Sequence, residues 1–283
     1  MSPSEPPSYS AFVEAAGCSA SPTSMTRVGL LFPGEMGAAV GEAVDAGVVW
    51  AGEGRSEATA ARADKGGFRD VASLESLVRE SDLILSVCPP GIAEDVARAV
   101  ADAGFEGIYV EANAIAPART ERIAADTGLR LVDGGIIARS RVNLYLSGND
   151  ADVETVAELF DGADVDAIPL PGGVGAASAL KMAFGGWNKI GVLLTAQSYA
   201  IARAYGVEEA LASEDVRAEA IPRAGPKAWR WQDEMEEVAQ TCALLGLPDG
   251  LGKAAAEVCE RWAHQRGRAP ELSELLDDLR VTD

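Results

Sequence analysis

Histidine is nearly missing from this chain, since His264 is the single histidine among 283 residues. Serine and cysteine triads of the usual kind need a histidine base, and histidine-rich metal sites need several histidines. The sequence therefore predicts no metal site. Any acid/base chemistry must come from lysine, tyrosine, carboxylates or a cofactor.

Basic residues and long apolar runs are also scarce. Lysine and arginine together number 24 against 44 aspartates and glutamates, which gives a formal charge of −20. Such a surface repels nucleic acid and anionic membranes, so neither is expected as a partner. No apolar run reaches the roughly 18 residues of a membrane-spanning helix. The 48% hydrophobic content nevertheless suffices for a well-buried core.

Cysteine is limited to four residues, which form no C-x-x-C pair and no metal-ligand spacing: Cys18, Cys88, Cys242 and Cys259. Thiols without such spacing fit a reducing compartment, so we expect a cytoplasmic protein. Residues 1–24 contain no lysine or arginine and do not resemble a signal peptide. Their serine, proline and alanine content predicts a poorly ordered extension, and Met25 is an alternative start of translation.

A glycine turn follows the first apolar run, at residues 28–32, and a helical pattern follows the turn. Strand, glycine turn and helix are the context of the dinucleotide fingerprint G-x-G-x-x-G. Two of its three glycines are present. The candidate cofactor contacts are Phe32, in the place of the first glycine, Pro33, Gly34, Glu35, Met36 and Gly37. An ordinary strand-to-helix turn is the alternative interpretation.

Apolar strands then alternate with helical stretches through the first half of the chain, which predicts a doubly wound, mainly parallel sheet. The second strand ends near Glu53, Arg55 and Ser56, where an adenosine ribose would lie. Arg55 and Ser56 suit the extra phosphate of NADP, whereas Glu53 suits the ribose hydroxyls of NAD. We therefore expect NADP(H) to be preferred, with NAD(H) as the alternative cofactor. Solvated loop charges are the alternative to both.

Three further strand ends supply candidate contacts, because ligands of such sheets bind at the carboxyl ends of the strands. The first is Cys88-Pro89-Pro90, expected to contact the cofactor. The second is the loop with Asn113 and Ala114, expected to contact substrate, with Asn113 also touching the cofactor. The third is Gly134-Gly135, where missing side chains would admit a ligand. A simple turn asparagine is the alternative for Asn113.

A glycine-rich entry at residues 171–175 leads into a long helix that continues to about Tyr205. Lys181 lies in its apolar part. Gly185, one turn on, would leave open space beside the lysine, and Asn188 returns to the same face two turns on. Lys181 and Asn188 are therefore predicted to line one pocket, unless Lys181 is a surface lysine. Because apolar residues occupy more than one face of this helix, we predict a homodimer through about residues 175–205.

Five segments together resemble the β-hydroxyacid dehydrogenase and 6-phosphogluconate dehydrogenase superfamily: residues 28–37, 87–90, 111–117, 133–135 and 173–181. The subgroup they resemble comprises NAD(P)-binding proteins with a phosphogluconate-dehydrogenase-like C-terminal domain of unknown function. The resemblance spans about residues 25–270. It implies a Rossmann domain over residues 25–170 and an all-α domain over residues 171–283 that binds substrate and dimerises through its long helix. It also implies a lysine general acid/base, matched by Lys181.

Two positions depart from this family. Gly185 replaces the asparagine that follows the lysine by one turn, and Asn113 beside Ala114 matches the loop serine of hydroxyacid enzymes. Imine reductases share the architecture but generally carry aspartate or tyrosine where Lys181 stands. We predict an NADP-preferring oxidoreductase that transfers hydride between nicotinamide and a small hydroxy acid, alcohol or carbonyl compound. An imine reductase and a non-catalytic dinucleotide-binding sensor are the alternatives.

Overall fold

The computed structural model describes residues 26–280. The predicted extension over residues 1–24 and the alternative start at Met25 lie outside the described residues.

An eight-stranded sheet forms the first part of the structure, in the order β3-β2-β1-β4-β5-β6-β7-β8. The strands are β1 (Arg27–Leu31), β2 (Gly47–Trp50), β3 (Arg69–Asp70), β4 (Leu83–Ser86), β5 (Ile108–Glu111), β6 (Arg130–Ala138), β7 (Val142–Ser147) and β8 (Val165–Pro169). The first six are parallel, β7 runs antiparallel to β6, and β8 is parallel to β7. The predicted doubly wound, mainly parallel sheet is confirmed.

Helices between the strands cover both faces of the sheet. They are α1 (Glu35–Glu42), α2 (Glu57–Lys65), α3 (Leu74–Glu80), α4 (Ala93–Asp102), α5 (Pro117–Thr127) and α6 (Asp150–Glu158). Strand side chains alternate between two cores, so that Leu83 and Leu85 pack on one face while Ile84 packs on the other. Burial on both faces is why β4 is apolar at consecutive positions.

The remaining described chain is helical. Its helices are α7 (Ala176–Tyr205), α8 (Glu208–Ser213), α9 (Ile221–Ala224), α10 (Gln232–Leu244), α11 (Gly250–Arg261) and α12 (Leu272–Asp278). They enclose a third core around Met182, Leu193 and Trp262. Left-handed glycines bound the long helix α7, Gly175 before it and Gly206 after it. Among the helices of residues 26–280, none is both long and apolar enough to cross a membrane.

Candidate active site

The carboxylate of Asp133 attaches α7 to the sheet. Asp133 is fully buried in β6, and its Oδ2 accepts hydrogen bonds from the backbone N–H groups of Gly175 and Ser178, both at 2.9 Å. Its Oδ1 accepts from the Ser178 hydroxyl at 2.6 Å. A negative charge at a helix N-terminus also interacts favourably with the helix dipole. Burial raises the pKa of Asp133 although these donors oppose the rise. The start of α7 is thereby held against β6.

Two glycines let α7 and the loop after β5 approach β6 closely. A Cβ added at Gly135 would lie 2.7 Å from the carbonyl oxygen of Ala177 and 3.5 Å from the Cβ of Lys181. At Gly134 it would lie 3.0 Å from the Cβ of Ala112. The sequence suggests that these glycines leave room for a ligand. The structure corrects this expectation, because protein atoms already fill the space beside both glycines.

Lys181 lies on α7 directly beside this contact. Its Nζ donates a hydrogen bond to the carbonyl oxygen of Ile136 at 2.9 Å, and its side chain is only 18% exposed. The alternative of a solvated surface lysine therefore does not describe this residue. The close approach at Gly135 places the ammonium group against β6 near the carboxyl edge of the sheet.

Glu234 of α10 fills the space that Gly185 leaves. A Cβ added at Gly185 would lie 2.6 Å from Oε1 of Glu234, so the open space expected beside Lys181 is occupied by a carboxylate. This oxygen lies 3.8 Å from Nζ of Lys181 and forms an ion pair with Lys189. Sequence reasoning missed both Glu234 and Lys189. Helical spacing from Lys181 could have indicated Lys189, but no local pattern marks Glu234.

Burial and neighbouring charges shift the pKa values of Glu234 and Lys189. Burial raises the pKa of Glu234, but the ammonium groups of Lys181 and Lys189 outweigh it, and the net pKa is lower than usual. Burial lowers the pKa of Lys189, and the Glu234 carboxylate opposes that change. Nζ of Lys189 also lies 5.6 Å from the centre of the Trp231 ring. Glu234 is therefore held as an anion between two lysines.

Asn188 does not join Lys181 in one pocket. Seven residues of helix move Asn188 about 10 Å along the axis of α7. Its side chain is exposed there and lines a surface depression with Trp187, Thr195 and Arg217. The prediction that Lys181 and Asn188 line one pocket is corrected. Helical spacing indicated the side of α7 on which Asn188 lies but not which elements pack against that side.

The glycine turn after β1 combines a left-handed residue with two glycines just before and within the first turn of α1. Phe32 adopts a left-handed φ of 62° in the place of the first glycine of the fingerprint. A Cβ at Gly37 would lie 2.6 Å from the carbonyl oxygen of Phe32, so only glycine lets α1 start here. A Cβ at Gly34 would have no neighbour closer than 3.9 Å. Because no side chain of residues 26–280 caps α1, the N–H groups of its first turn are available to an anion as far as these residues are concerned.

The other turn residues border this position. The carbonyl oxygen of Pro33 accepts a hydrogen bond from Nε of Arg62 at 3.2 Å. Glu35 is exposed and lies 3.0 Å from Arg230, in the 3₁₀ helix Gly225–Arg230. Met36 is exposed. Glu35 therefore connects the glycine turn to the helical region.

Arg55 stands over the glycine turn and retains hydrogen-bonding capacity. Its guanidinium lies 3.8 Å from the centre of the Phe32 ring, and its buried Nε has no hydrogen-bond partner among the described residues. Burial lowers the pKa of Arg55. Ser56 instead caps α2, because its Oγ accepts from the backbone N–H of Thr59 at 3.3 Å. Arg55 thus fits an anion better than Ser56 does.

Asn113, just after β5, forms side-chain hydrogen bonds with residues at the end of β4. Its Oδ1 accepts from the backbone N–H of Cys88, and its Nδ2 donates to the Ser86 hydroxyl at 3.3 Å. The side chain is buried, and its contact with substrate or cofactor stays a prediction. Burial raises the pKa of the Cys88 thiol to about 12, so this thiol is inert. Ala114 is half-buried against the helical core.

Glu237 of α10 joins the helical region to the loops after β4 and β5. One of its carboxylate oxygens accepts from the backbone N–H of Ala116 at 2.7 Å, and the other pairs with Arg119. Nη2 of Arg119 donates to the carbonyl oxygen of Pro90 at 3.1 Å, while Pro89 is exposed. Arg230 therefore pairs with the start of α1, Glu237 contacts the loop after β5, and Arg119 links Glu237 to the loop after β4. Within residues 26–280, no group of three or more histidine, cysteine or acidic residues is arranged to hold a metal ion.

Solved structures with the same fold include dehydrogenases and a reductase. Conserved protein MTH1747 of unknown function, described as structurally similar to 3-hydroxyacid dehydrogenases, aligns with a TM-score of 0.62 and 24% identity over 84% of this chain and 97% of its own. A Mycobacterium tuberculosis 3-hydroxyisobutyrate dehydrogenase with L-serine aligns at 0.70 with 15% identity, over 91% and 100%. Imine reductase BcSIRED from Bacillus cereus BAG3X2 aligns at 0.55 with 17% identity, over 89% and 98%. The chain has the fold of the 3-hydroxyacid dehydrogenases, and the resemblance described from the sequence is confirmed.

The helical region is similar to a family without an assigned role. Residues 202–262 match the family described as Domain of unknown function (DUF1932). An uncharacterised 28.5 kDa protein in the 7S RNA 5′ region of Methanothermus fervidus is 30% identical over 162 residues. This match spans 56% of the present chain and 63% of the relative.

Proposed function

We propose that this protein is an NADP(H)-preferring oxidoreductase that transfers hydride between nicotinamide and a small hydroxy acid, alcohol or carbonyl substrate. Lys181 is its general acid/base. The observation that carries the proposal is a largely buried ammonium group hydrogen-bonded to Ile136 at the carboxyl edge of a doubly wound sheet. The shared fold supports an oxidoreductase of this kind, and NAD(H) is the alternative cofactor.

The residues present fit a dinucleotide. In this proposal Gly34, Gly37 and the uncapped start of α1 hold the pyrophosphate, and Arg55 holds the 2′-phosphate of NADP. Once bound, the cofactor supplies or accepts the hydride. The chain itself contributes positioning and proton transfer.

Lys181 has a proton available for substrate. An ammonium group has three N–H donors, and Ile136 takes one of them. The Glu234 oxygen, 3.8 Å away, acts through charge without taking a second hydrogen bond. A remaining N–H can protonate an alkoxide during reduction, and the neutral amine accepts the hydroxyl proton during oxidation.

Replacing Lys181 by methionine tests the mechanism. Lys181→Met keeps the bulk of the stem but removes the proton donor, so NADPH affinity should persist while turnover falls by about 10²–10⁴-fold. Turnover is followed by nicotinamide absorbance with a panel of hydroxy acids, alcohols, aldehydes and cyclic imines. Lys227→Met, at an exposed lysine of the same helical region, is the control and should keep wild-type rates.

Two outcomes would favour the alternatives. A loss below about tenfold, with reduction of a cyclic imine retained, would support an imine reductase, whose fold this chain shares. NADPH binding without turnover of any panel compound would support a non-catalytic dinucleotide-binding sensor.

A second experiment tests the cofactor preference. Arg55→Ala removes the guanidinium beside Phe32 and should weaken NADPH binding by about 1.5–3 kcal/mol, the range for a hydrogen bond to a charged group. NADH binding should change little. Calorimetry of both cofactors measures the difference, and Lys65→Ala, an exposed residue of α2, controls for the loss of one positive charge. Equal weakening of both cofactors would contradict a 2′-phosphate role.

We also propose a homodimer formed through residues 175–205, supported by the exposed apolar residues of α7: Trp187, Leu194, Ile201 and Tyr205. A cytoplasmic location remains a prediction, supported by the free thiols of Cys88, Cys242 and Cys259. The division at residue 170 into a dinucleotide-binding and a helical domain also remains a prediction.

A further inference from the structure

Two buried charged side chains, Glu234 and Lys189, meet the largely buried Lys181 where α7 packs on α10, and the proposed reaction uses only Lys181. Glu234 is 7% exposed, and its Oε1 forms an ion pair with Lys189 and lies 3.8 Å from Nζ of Lys181. Buried charges are costly unless other charges compensate them. The two lysines supply this compensation, so the carboxylate stays ionised beside the proposed proton donor.

Gly185 is what admits the carboxylate. A Cβ at position 185 would stand 2.6 Å from Oε1, closer than any real contact, so every other residue there would displace Glu234. The neighbouring Gly186 faces Val238 instead, where a Cβ would lie 3.2 Å from Cγ1. The two buried glycines of α7 thus differ in one respect that matters here: only Gly185 touches the carboxylate.

Glu234 restrains the flexible side chain of Lys181 without accepting a hydrogen bond from it. Lysine has a long, mobile stem, and the Ile136 carbonyl anchors its ammonium on one side only. A carboxylate at 3.8 Å attracts the ammonium from a second side but is too far to accept a normal hydrogen bond. Lys189 takes the close ion pair with Glu234 and leaves Lys181 free to donate.

We propose that Glu234 is the positioning residue for Lys181: its carboxylate, held by Lys189 in the space left by Gly185, keeps the Lys181 ammonium directed at the reacting atom of the substrate. This inference rests on the proposed role of Lys181. The restraint comes from α10 and not from the first turns of the helix that carries Lys181.

The chain's five lysines make a direct test practicable. Selective ¹³C,¹⁵N-lysine labelling of the full chain without cofactor gives five side-chain signals, assigned by single Lys→Arg variants. Exposed Lys65, Lys227 and Lys253 serve as internal references. Relaxation of each Cε methylene reports how tightly the side chain is held, and the pH dependence of the Lys189 signal reports its charge partner.

Glu234→Gln keeps the shape of the side chain and removes its charge. We expect the Lys181 methylene to become more mobile than in the wild type, although its hydrogen bond to Ile136 remains, and the titration midpoint of Lys189 to fall by about 1–3 pH units, the usual effect of an adjacent opposite charge. Glu234→Asp should restore most of the Lys189 midpoint. Gly185→Ala should mobilise Lys181 as Glu234→Gln does, whereas Gly186→Ala should leave both lysines unchanged.

A rigid Lys181 or an unchanged Lys189 midpoint in Glu234→Gln would overturn the inference. If Glu234→Gln fails to fold, the Lys181 relaxation and the Lys189 midpoint are measured in Gly185→Ala instead. Equal values in Gly185→Ala and Gly186→Ala would count against a role for Glu234. These measurements need neither substrate nor cofactor. If the oxidoreductase proposal is wrong, the Lys181→Met assay will show it, and the relaxation and titration of the lysine signals will still test the role of Glu234 independently.

Discussion

Three buried carboxylates near the carboxyl edge of the sheet differ in proton affinity because their neighbours differ. Glu234 has two lysines beside it, and its pKa is lowered despite burial. Asp133 has only uncharged donors, which do not outweigh burial, and its pKa is raised. At Glu111, burial raises the pKa to about 8, and the nearby Asp133 adds to the rise. The same type of group therefore serves as an anion at one position and as a neutral acid at another.

Glu111 should make stability depend on pH. Burial raises the pKa of this carboxyl group to about 8 in the folded protein, whereas an unperturbed glutamate has a pKa of about 4.5. The unfolded chain therefore releases this proton first, and the contribution of Glu111 to the free energy of unfolding is lost as pH rises from about 4.5 to about 8. Glu111→Gln should remove that part of the decline.

Urea unfolding at pH 5, 6.5 and 8 measures the effect. Glu106→Gln, an exposed position just before β5, should keep the wild-type pH dependence. An identical decline in Glu111→Gln and wild type would show that Glu111 is already ionised in the folded protein at neutral pH.

At the level of the elements, α7 is the part that joins sheet and helices. Asp133 holds the start of α7, and Gly135 lets its first turns approach β6. On α10, Glu234 lies beside Lys181 of α7, and Glu237 contacts the loop after β5. A rigid, anchored helix fits a proton-transferring lysine, because small displacements of a reacting group cost much of its effect.

Gly135→Ala should disturb this contact. The added methyl group would lie 2.7 Å from the Ala177 carbonyl oxygen, so α7 must shift, and we expect a loss of about 1–3 kcal/mol in the free energy of unfolding. Denaturant titration measures the loss. Gly173→Ala is the matched control, since a Cβ there meets nothing within 4 Å. Equal stability of the two variants would mean that β6 and α7 are not packed closely at Gly135.

On the scale of the whole molecule, one side of α7 is left exposed by the described residues. Trp187, Leu194 and Ile201 follow one another at seven-residue intervals on one side of the helix, and Ile201 is 61% exposed. An apolar row of this kind favours a second helix as its neighbour. The chain carries a formal charge of −20, so two copies repel each other except where exposed apolar surface such as this row can be buried.

A charge in this row should separate a dimer. We expect sedimentation equilibrium to show a dimer at micromolar concentration and Ile201→Glu to raise its Kd at least about tenfold, or about 1.4 kcal/mol. Leu247→Glu, in the exposed apolar loop between α10 and α11, should leave the dimer intact. Dissociation by Leu247→Glu but not by Ile201→Glu would show that the interface lies at that loop. A monomeric wild type would refute the dimer.

Much of the architecture was predictable because it depends on neighbours in sequence. Apolar runs indicated the parallel strands, two glycines marked the turn before α1, and a continuous helical pattern placed Lys181 within α7. Each of these features is set by backbone geometry and by the periodicity of burial over a few residues. The left-handed conformation of Phe32 was not foreseen, since glycine is the usual residue there.

The interior of the candidate site was decided by contacts between distant parts of the chain. Asn113 was predicted to contact ligand, and the sequence did not show that its amide also binds Ser86 and Cys88 on the adjacent strand end. Asn188 had the right helical spacing and yet lies where nothing covers it. Gly185 seemed to leave a gap, which Glu234 fills from α10. Burial and charge pairing depend on which elements pack together, and such neighbours leave no periodic trace in the sequence.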